Sequence, residues 1–234
     1  MILFENVTKK FGEVVALSEV SFEVDKGEFV FLTGPSGAGK TTIIKLILRE
    51  FFPTEGKIEI MGEDISLIRS KKIPQFRRKV GVVFQDFKLL IDRTVLENVI
   101  LPLQIRKVQS SQIAKQAQEV LKLVGLWERK DLFPAQLAVG EIQRASLARA
   151  IIGKPEILLA DEPTGNLDPN NSQQIIELLK KINDNETTVL MATHNASLVN
   201  LLKERVICLA EGKLISDEEK GKYKLPKFKF EKDV

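Results

Sequence analysis

The chain has 234 residues, 44% of them hydrophobic, which suits one α/β domain with a sizeable core. Thirty-five basic residues against 32 acidic ones leave a formal charge of +3, a balance that argues against a nucleic-acid binder. No apolar run reaches the ~18–20 residues of a membrane span. The start, Met1-Ile-Leu-Phe-Glu-Asn6, lacks the basic region and cleavage site of a signal peptide, and the single Cys208 cannot form an internal disulfide, so a reducing, cytoplasmic setting is expected.

The first third reads as β-rich. Residues 2–7 and 20–24 have strand character, the latter with clear alternation, and Asp25-Lys-Gly27 is a turn. Residues 28–33 form an apolar run with the character of a buried strand, and 42–48 read as a helix. Residues 57–61 alternate again between Gly56 and Gly62, and 80–84 form a short buried strand ending at Gln85. The middle is helical. Ser110 or Ser111 is expected to cap a helix over 112–124, with Ile113, Ala117, Val120, Leu121 and Val124 on one face and Gly125 closing it. A second helix is expected over about 140–152, ended by Gly153 and Pro155.

The last third returns to α/β alternation. Residues 156–160 form a continuous apolar strand of the parallel-sheet kind. A helix over 170–182, a strand over 187–192 and a helix over 196–203 follow, and 206–210 with 213–215 close as a hairpin about Glu211-Gly212. The middle segment therefore reads as an insertion within one core: 1–86 and 152–234 as the core, 87–151 as an inserted helical subdomain.

Between the strand at 28–33 and its helix lies Gly34-Pro-Ser-Gly-Ala-Gly-Lys-Thr41, which fits the phosphate-loop pattern G-x-x-x-x-G-K-[ST]. Its glycines let backbone N–H groups curl around an anion, and the helix start adds its positive dipole end. Lys40 can reach terminal phosphates and the Thr41 hydroxyl can ligate Mg²⁺. The competing reading is a Gly-rich strand–helix turn. Downstream, Asp161 and Glu162 end a buried strand, where ligands sit in open α/β sheets. One carboxylate can hold a Mg²⁺ shell and the other can face an attacking water. Alone, the two acids also fit a solvated turn. His194, the only histidine, trails the strand over 187–192, where a neutral imidazole can hydrogen-bond a phosphate.

Together these parts resemble the ATP-binding subunits of ABC systems over about residues 1–216. The resemblance implies an α/β ABC nucleotide-binding domain: a RecA-like P-loop core with an antiparallel β-subdomain and an inserted α-helical subdomain. It also implies ATP and Mg²⁺ as cofactors, ATPase activity and a homodimer on ATP binding. Phe11 would stack on adenine, and Gly34, Pro35, Ser36, Gly37, Ala38, Gly39, Lys40, Thr41 and Thr42 would cradle the phosphates. Thr41, Gln85 and Asp161 would hold the metal, and Glu162, His194, Gln85 and Lys40 would serve catalysis. Asp168 and the signature residues Ala138, Val139, Gly140 and Glu141 would act on nucleotide held by the other subunit.

The signature departs from the family pattern, Leu-Ser-Gly-Gly followed by Glu or Gln. Here it reads Leu137-Ala-Val-Gly-Glu141. Ala138 lacks the serine hydroxyl, a loss on the order of 1.5–3 kcal/mol for one charge-assisted hydrogen bond. Val139 adds a β-branched side chain where the backbone approaches phosphate. Nucleotide binding within one subunit is expected to survive, while dimer closure and hydrolysis are where the departure tells. Compensation by neighbouring donors is the alternative.

Within the family, the stretches at 26–40, 77–90 and 92–98 look like those of the bacterial cell-division members. The ATPases of lipoprotein-release and macrolide-type exporters are near relatives. That resemblance implies a peripheral subunit at the cytoplasmic face of the inner membrane. It would act with a membrane protein and couple ATP-driven closure to peptidoglycan hydrolases. Phe87, Leu89, Leu90 and Ile91 form an apolar cluster suited to a groove for a partner helix, or to packing between lobes. Five lysines and no acid lie in 220–230, a solvated terminus or a lipid contact. Three readings stay open: an active motor in division, a low-turnover regulatory subunit, and an exporter ATPase.

Overall fold

Two sheets and seven helices make up the computed structural model, which describes residues 1–223. The Lys-rich stretch over 220–230 therefore falls mostly outside the described residues. The first part of the chain supplies β1 (Ile2–Phe11), β2 (Val14–Val24), β3 (Phe29–Thr33), α1 (Lys40–Ile47), β4 (Glu55–Ile60), β5 (Glu63–Asp64), α2 (Ile73–Arg77) and β6 (Val80–Val83). Helices α3 (Val95–Ile105), α4 (Ser110–Leu123) and α5 (Val139–Ile151) follow. The last part supplies β7 (Ile157–Asp161), α6 (Pro169–Asn183), β8 (Thr188–Ala192), α7 (Ala196–Leu202), β9 (Arg205–Ala210) and β10 (Lys213–Glu218).

The four-stranded sheet runs β2-β1-β4-β5 and is antiparallel. The six-stranded sheet runs β10-β9-β3-β8-β7-β6, parallel except for its edge strand β10. Covered faces explain why β3, β7 and β8 are buried at every residue and read as unbroken apolar runs. Period-2 alternation still sorts them. Phe29 and Phe31 point into a core shared with α3 to α6, while Val30 and Leu32 point into a second core with Ile43, Ile44, Leu46 and Ile47 of α1. Each such fully buried side chain contributes roughly 1.5–3 kcal/mol.

Register sets the site. Leu32 pairs with Ala192 and Ala192 with Asp161, so β3, β7 and β8 end at one level. The phosphate loop, Glu162 and the turn to His194 all leave the sheet from that edge.

Several elements differ from expectation. α3 was not foreseen: Pro102 lies inside it, and Val95, Val99 and Ile100 favour strands, yet Thr94 and Glu97 form a full capping box at its start. The short α2 has Pro74 in its first turn, a position proline tolerates. α4 is capped by Gln109 with no side-chain bond; Ser110 is its first residue, so neither expected serine caps it. Its apolar face is as expected, and Gly125 takes φ +69° just past its end.

Candidate functional site

A cavity of about 640 Å³ opens where β3 meets α1, within the size range of ligand pockets. It is lined by Ala16, residues 35–42, Gln85, Glu162, His194 and Tyr223. Gly34, Gly37 and Gly39 adopt φ of +142°, +78° and +103°. At Gly34 a Cβ would run into the Leu209 carbonyl, and at Gly39 it would lie 2.6 Å from Leu17 Cδ2 and 2.9 Å from the Ala16 carbonyl. These contacts, with the positive φ, leave room for glycine alone and let the chain curl as a phosphate cradle must.

Lys40 is buried, and its Nζ donates to the carbonyls of Gly34 at 2.8 Å and Pro35 at 3.0 Å. Its nearest carboxylate, Glu162 Oε1, is 3.8 Å away. An ammonium held by two loop carbonyls at the mouth of a cradle suits a polyanion. Thr41 Oγ1 donates to Asp161 Oδ1 at 3.3 Å. Burial pushes the Asp161 carboxyl above its usual value, the Thr41 bond opposes this, and Glu162 adds to it. A buried carboxylate paired with a hydroxyl is a donor set that fits Mg²⁺. A divalent ion would also relieve the cost of that burial.

Glu162 takes the left-handed region at φ +49°, uncommon for a side-chain residue and a form of strain found at functional sites. Its N–H donates to the Ala192 carbonyl at 3.0 Å, and its Oε1 meets His194 Nδ1 at 2.9 Å. The glutamate is mostly buried and the histidine exposed, so the pair spans the wall and mouth of the cavity. Gln85 also lines the cavity, its side-chain amide beside Gly165, and its backbone carbonyl accepts from the Asn166 side-chain amide at 3.3 Å.

The remaining expected residues do not line this cavity. Phe11 packs edge-on to Phe51 at 5.0 Å with Lys9 Nζ 4.8 Å over its ring. Gly34 gives only its backbone, and Asp161 is behind Thr41. Asp168 caps α6 through Asn171, whose side-chain amide and then backbone N–H hold its carboxyl below the usual range. The signature forms the start of α5 and includes Gly140, which packs against Asn171.

At the signature, Glu141 Oε2 accepts from the Ala138 N–H at 2.9 Å, half of a capping box, but the Ala138 methyl returns nothing. Val139 is half-exposed and has helical φ, so its β-branched side chain strains no backbone within this subunit. Two lining residues were not foreseen, Ala16 on β2 and Tyr223 beyond β10. Neither sits in a motif: Ala16 comes from the antiparallel sheet and Tyr223 from the segment past β10, and packing between distant parts of the chain brings them to the site.

Comparison with known proteins agrees with this geometry. The family model for the ABC transporter domain matches residues 17–165. The cell division ATP-binding protein FtsE of Bacillus subtilis is 49% identical over 224 residues, covering 95% of this chain and 98% of that protein. FtsE of Escherichia coli K12 is 45% identical over 92% of this chain and 97% of its own length. A dimeric post-hydrolysis structure of the ATP-binding cassette MJ0796, bound to ADP and Pi, superposes with TM-score 0.86 at 36% identity, covering 95% of this chain and all of that one. With the P-loop, the Asp161–Glu162 strand end and His194 gathered at one sheet edge, the chain belongs to the ABC transporter family and, within it, to the FtsE cell-division ATP-binding proteins.

Proposed function

We propose that this chain is a Mg²⁺-dependent ATPase that works as a homodimer with the membrane protein FtsX at the cytoplasmic face of the inner membrane. ATP-driven closure would be coupled to activation of peptidoglycan hydrolases. The observation that carries the reading is the single sheet edge that brings Lys40, Thr41, Glu162 and His194 to one cavity, with Asp161 bonded behind Thr41. Gly34 to Thr42 cradle the phosphates, Thr41, Gln85 and Asp161 hold the metal, and Glu162 with His194 faces the attacking water. Phe11, whose ring is exposed, stacks on adenine. Ala138, Val139, Gly140, Glu141 and Asp168 face the partner subunit's nucleotide.

The partner's cytoplasmic segment would dock between the core (1–86 and 152–234) and the helical lobe (87–151). A groove of about 310 Å³ there is lined by Leu101, Pro102 and Ile105 beside Arg77, Arg78, Arg106 and Arg149. None of these four arginines forms an ion pair among the described residues. Burial lowers Arg149 and Arg106 from their usual value, and Arg78 lowers Arg106 further. An acid-bearing apolar helix complements that charge. No helix among the described residues is long and apolar enough to cross a membrane, so the partner would supply the span.

The test is Mg-ATP hydrolysis by the purified chain with and without FtsX in lipid. Turnover that needs Mg²⁺ and rises with FtsX supports the motor; stimulation by an exporter permease instead would redirect the partner assignment. A low-turnover regulatory role is favoured by one observation, the missing hydroxyl at Ala138, and tight ATP binding without turnover would support it.

A further inference from the structure

The chain returns to the nucleotide cavity after its last strand. Past β10, Gly221 is buried against Val206, where a Cβ would lie 2.6 Å from Val206 Cβ, and its N–H donates to the Glu204 carbonyl at 3.2 Å. Two residues on, the Tyr223 N–H donates to Asn200 Oδ1 at 3.0 Å, on the helix that follows His194. These two bonds latch the segment along α7 and carry Tyr223 to the wall that Glu162 and His194 share. The ring packs half-buried on the core beneath. The cavity keeps its volume of about 640 Å³ with the tyrosine in place, so Tyr223 is a wall and not a plug.

We propose that Tyr223 is a further nucleotide-contacting residue, whose phenolic O–H donates a hydrogen bond to the terminal phosphate of ATP. The inference rests on the ATP-binding reading above. Its chemistry follows from the neighbours. Burial first, then Cys208 and the Glu162 carboxylate, raise the phenol above its usual value, so it keeps its proton and stays a donor. A neutral donor beside Glu162 adds attraction for a phosphate oxygen without adding charge, and it lies at the end of the site where ATP and ADP differ. Tyr223 therefore discriminates the triphosphate from the diphosphate.

The test compares Mg-ATPγS and Mg-ADP binding by calorimetry for the full chain and for Tyr223→Phe, which keeps the ring and its packing. One charge-assisted hydrogen bond at a half-exposed wall, taken at the low end of its range, predicts roughly tenfold or more weaker ATPγS binding with ADP affinity unchanged. Tyr223→Leu, which also removes the aromatic wall, should weaken ATPγS at least as much. Equal affinities in parent and Phe variant, or parallel losses for both nucleotides, would overturn the assignment. Failure of the parent to bind either nucleotide would instead strike the ATP-binding reading itself.

Discussion

His194 Nδ1 lies 2.9 Å from Glu162 Oε1, and the same oxygen is 3.8 Å from Lys40 Nζ. One carboxylate oxygen thus faces both the lysine of the phosphate loop and the only histidine of the chain. The histidine holds the glutamate's orientation at a residue whose backbone is already constrained at φ +49°. Glu162→Gln should lower Mg-ATP turnover by about 10²–10⁴-fold, the span of a general base, with ATP affinity retained. His194→Ala should lower kcat in the same direction and leave ADP affinity unchanged. Steady-state ATPase with parallel calorimetry checks both; full turnover in Glu162→Gln would remove the glutamate from the chemistry.

Asp161 makes a stability prediction of opposite sign to its functional one. Its folded pKa is raised, chiefly by burial, so the folded chain holds this proton more tightly than the unfolded chain. The group's contribution is full below the unfolded aspartate value of 3.8 and is lost as pH rises through the folded value. At neutral pH the ionised, buried carboxylate is a net cost. Without nucleotide, Asp161→Asn should gain about 1 kcal/mol, the low end of what an underpaired buried group costs. It should also flatten the pH dependence as pH rises from 3.8 through the folded value, and the stabilisation given by Mg-ATP should shrink. Urea unfolding across pH, with and without Mg-ATP, reads all three, and an Asn variant less stable than the parent at pH 7 would defeat the argument.

At Gly39 two constraints coincide, φ +103° and the approach of Leu17 and Ala16 from β2. Gly39→Ala is expected to cost about 1–3 kcal/mol through backbone strain alone, and more if β2 must shift. Since Gly39 immediately precedes Lys40, the loop should also lose its affinity for nucleotide. Thermal melts of the free chain check the first effect and the shift on adding ATP checks the second. An Ala variant that melts like the parent would show that the loop relaxes freely.

Much of this site is legible in sequence because its parts are local. The phosphate loop needs glycines at fixed spacing, and Asp161 and Glu162 follow an apolar run that only a parallel sheet accounts for. What is not legible is set by packing between distant segments. Tyr223 reaches the cavity only because Gly221 fits against Val206 and Asn200 accepts the next turn of chain. Phe11 meets Phe51 because β1 closes over the end of α1, which no local pattern records. Helix α3 is a different case: its capping box is local and readable, but Pro102 and the β-branched residues speak against a helix that tertiary packing overrides.

The start of α5 separates two effects of the signature departure. Within one subunit, Ala138 occupies the cap position and leaves the Glu141 N–H without a side-chain acceptor, while Glu141 already bonds back to the Ala138 N–H. Ala138→Ser should complete the box and add about 1 kcal/mol of stability in the absence of nucleotide. Between subunits, the same hydroxyl would gain a phosphate acceptor, and Val139→Gly would clear the half-exposed isopropyl group from the approach to it. The double variant should therefore raise ATPase turnover and favour an ATP-bound dimer, read by light scattering of the Glu162→Gln background. The two readouts are independent. A gain in melting temperature with unchanged turnover and dimerisation would confine the departure to helix capping, and the Ala138-Val139 pair would then be no brake on the motor. A gain in dimerisation and turnover would make residues 138 and 139 the point at which this chain holds its ATPase back.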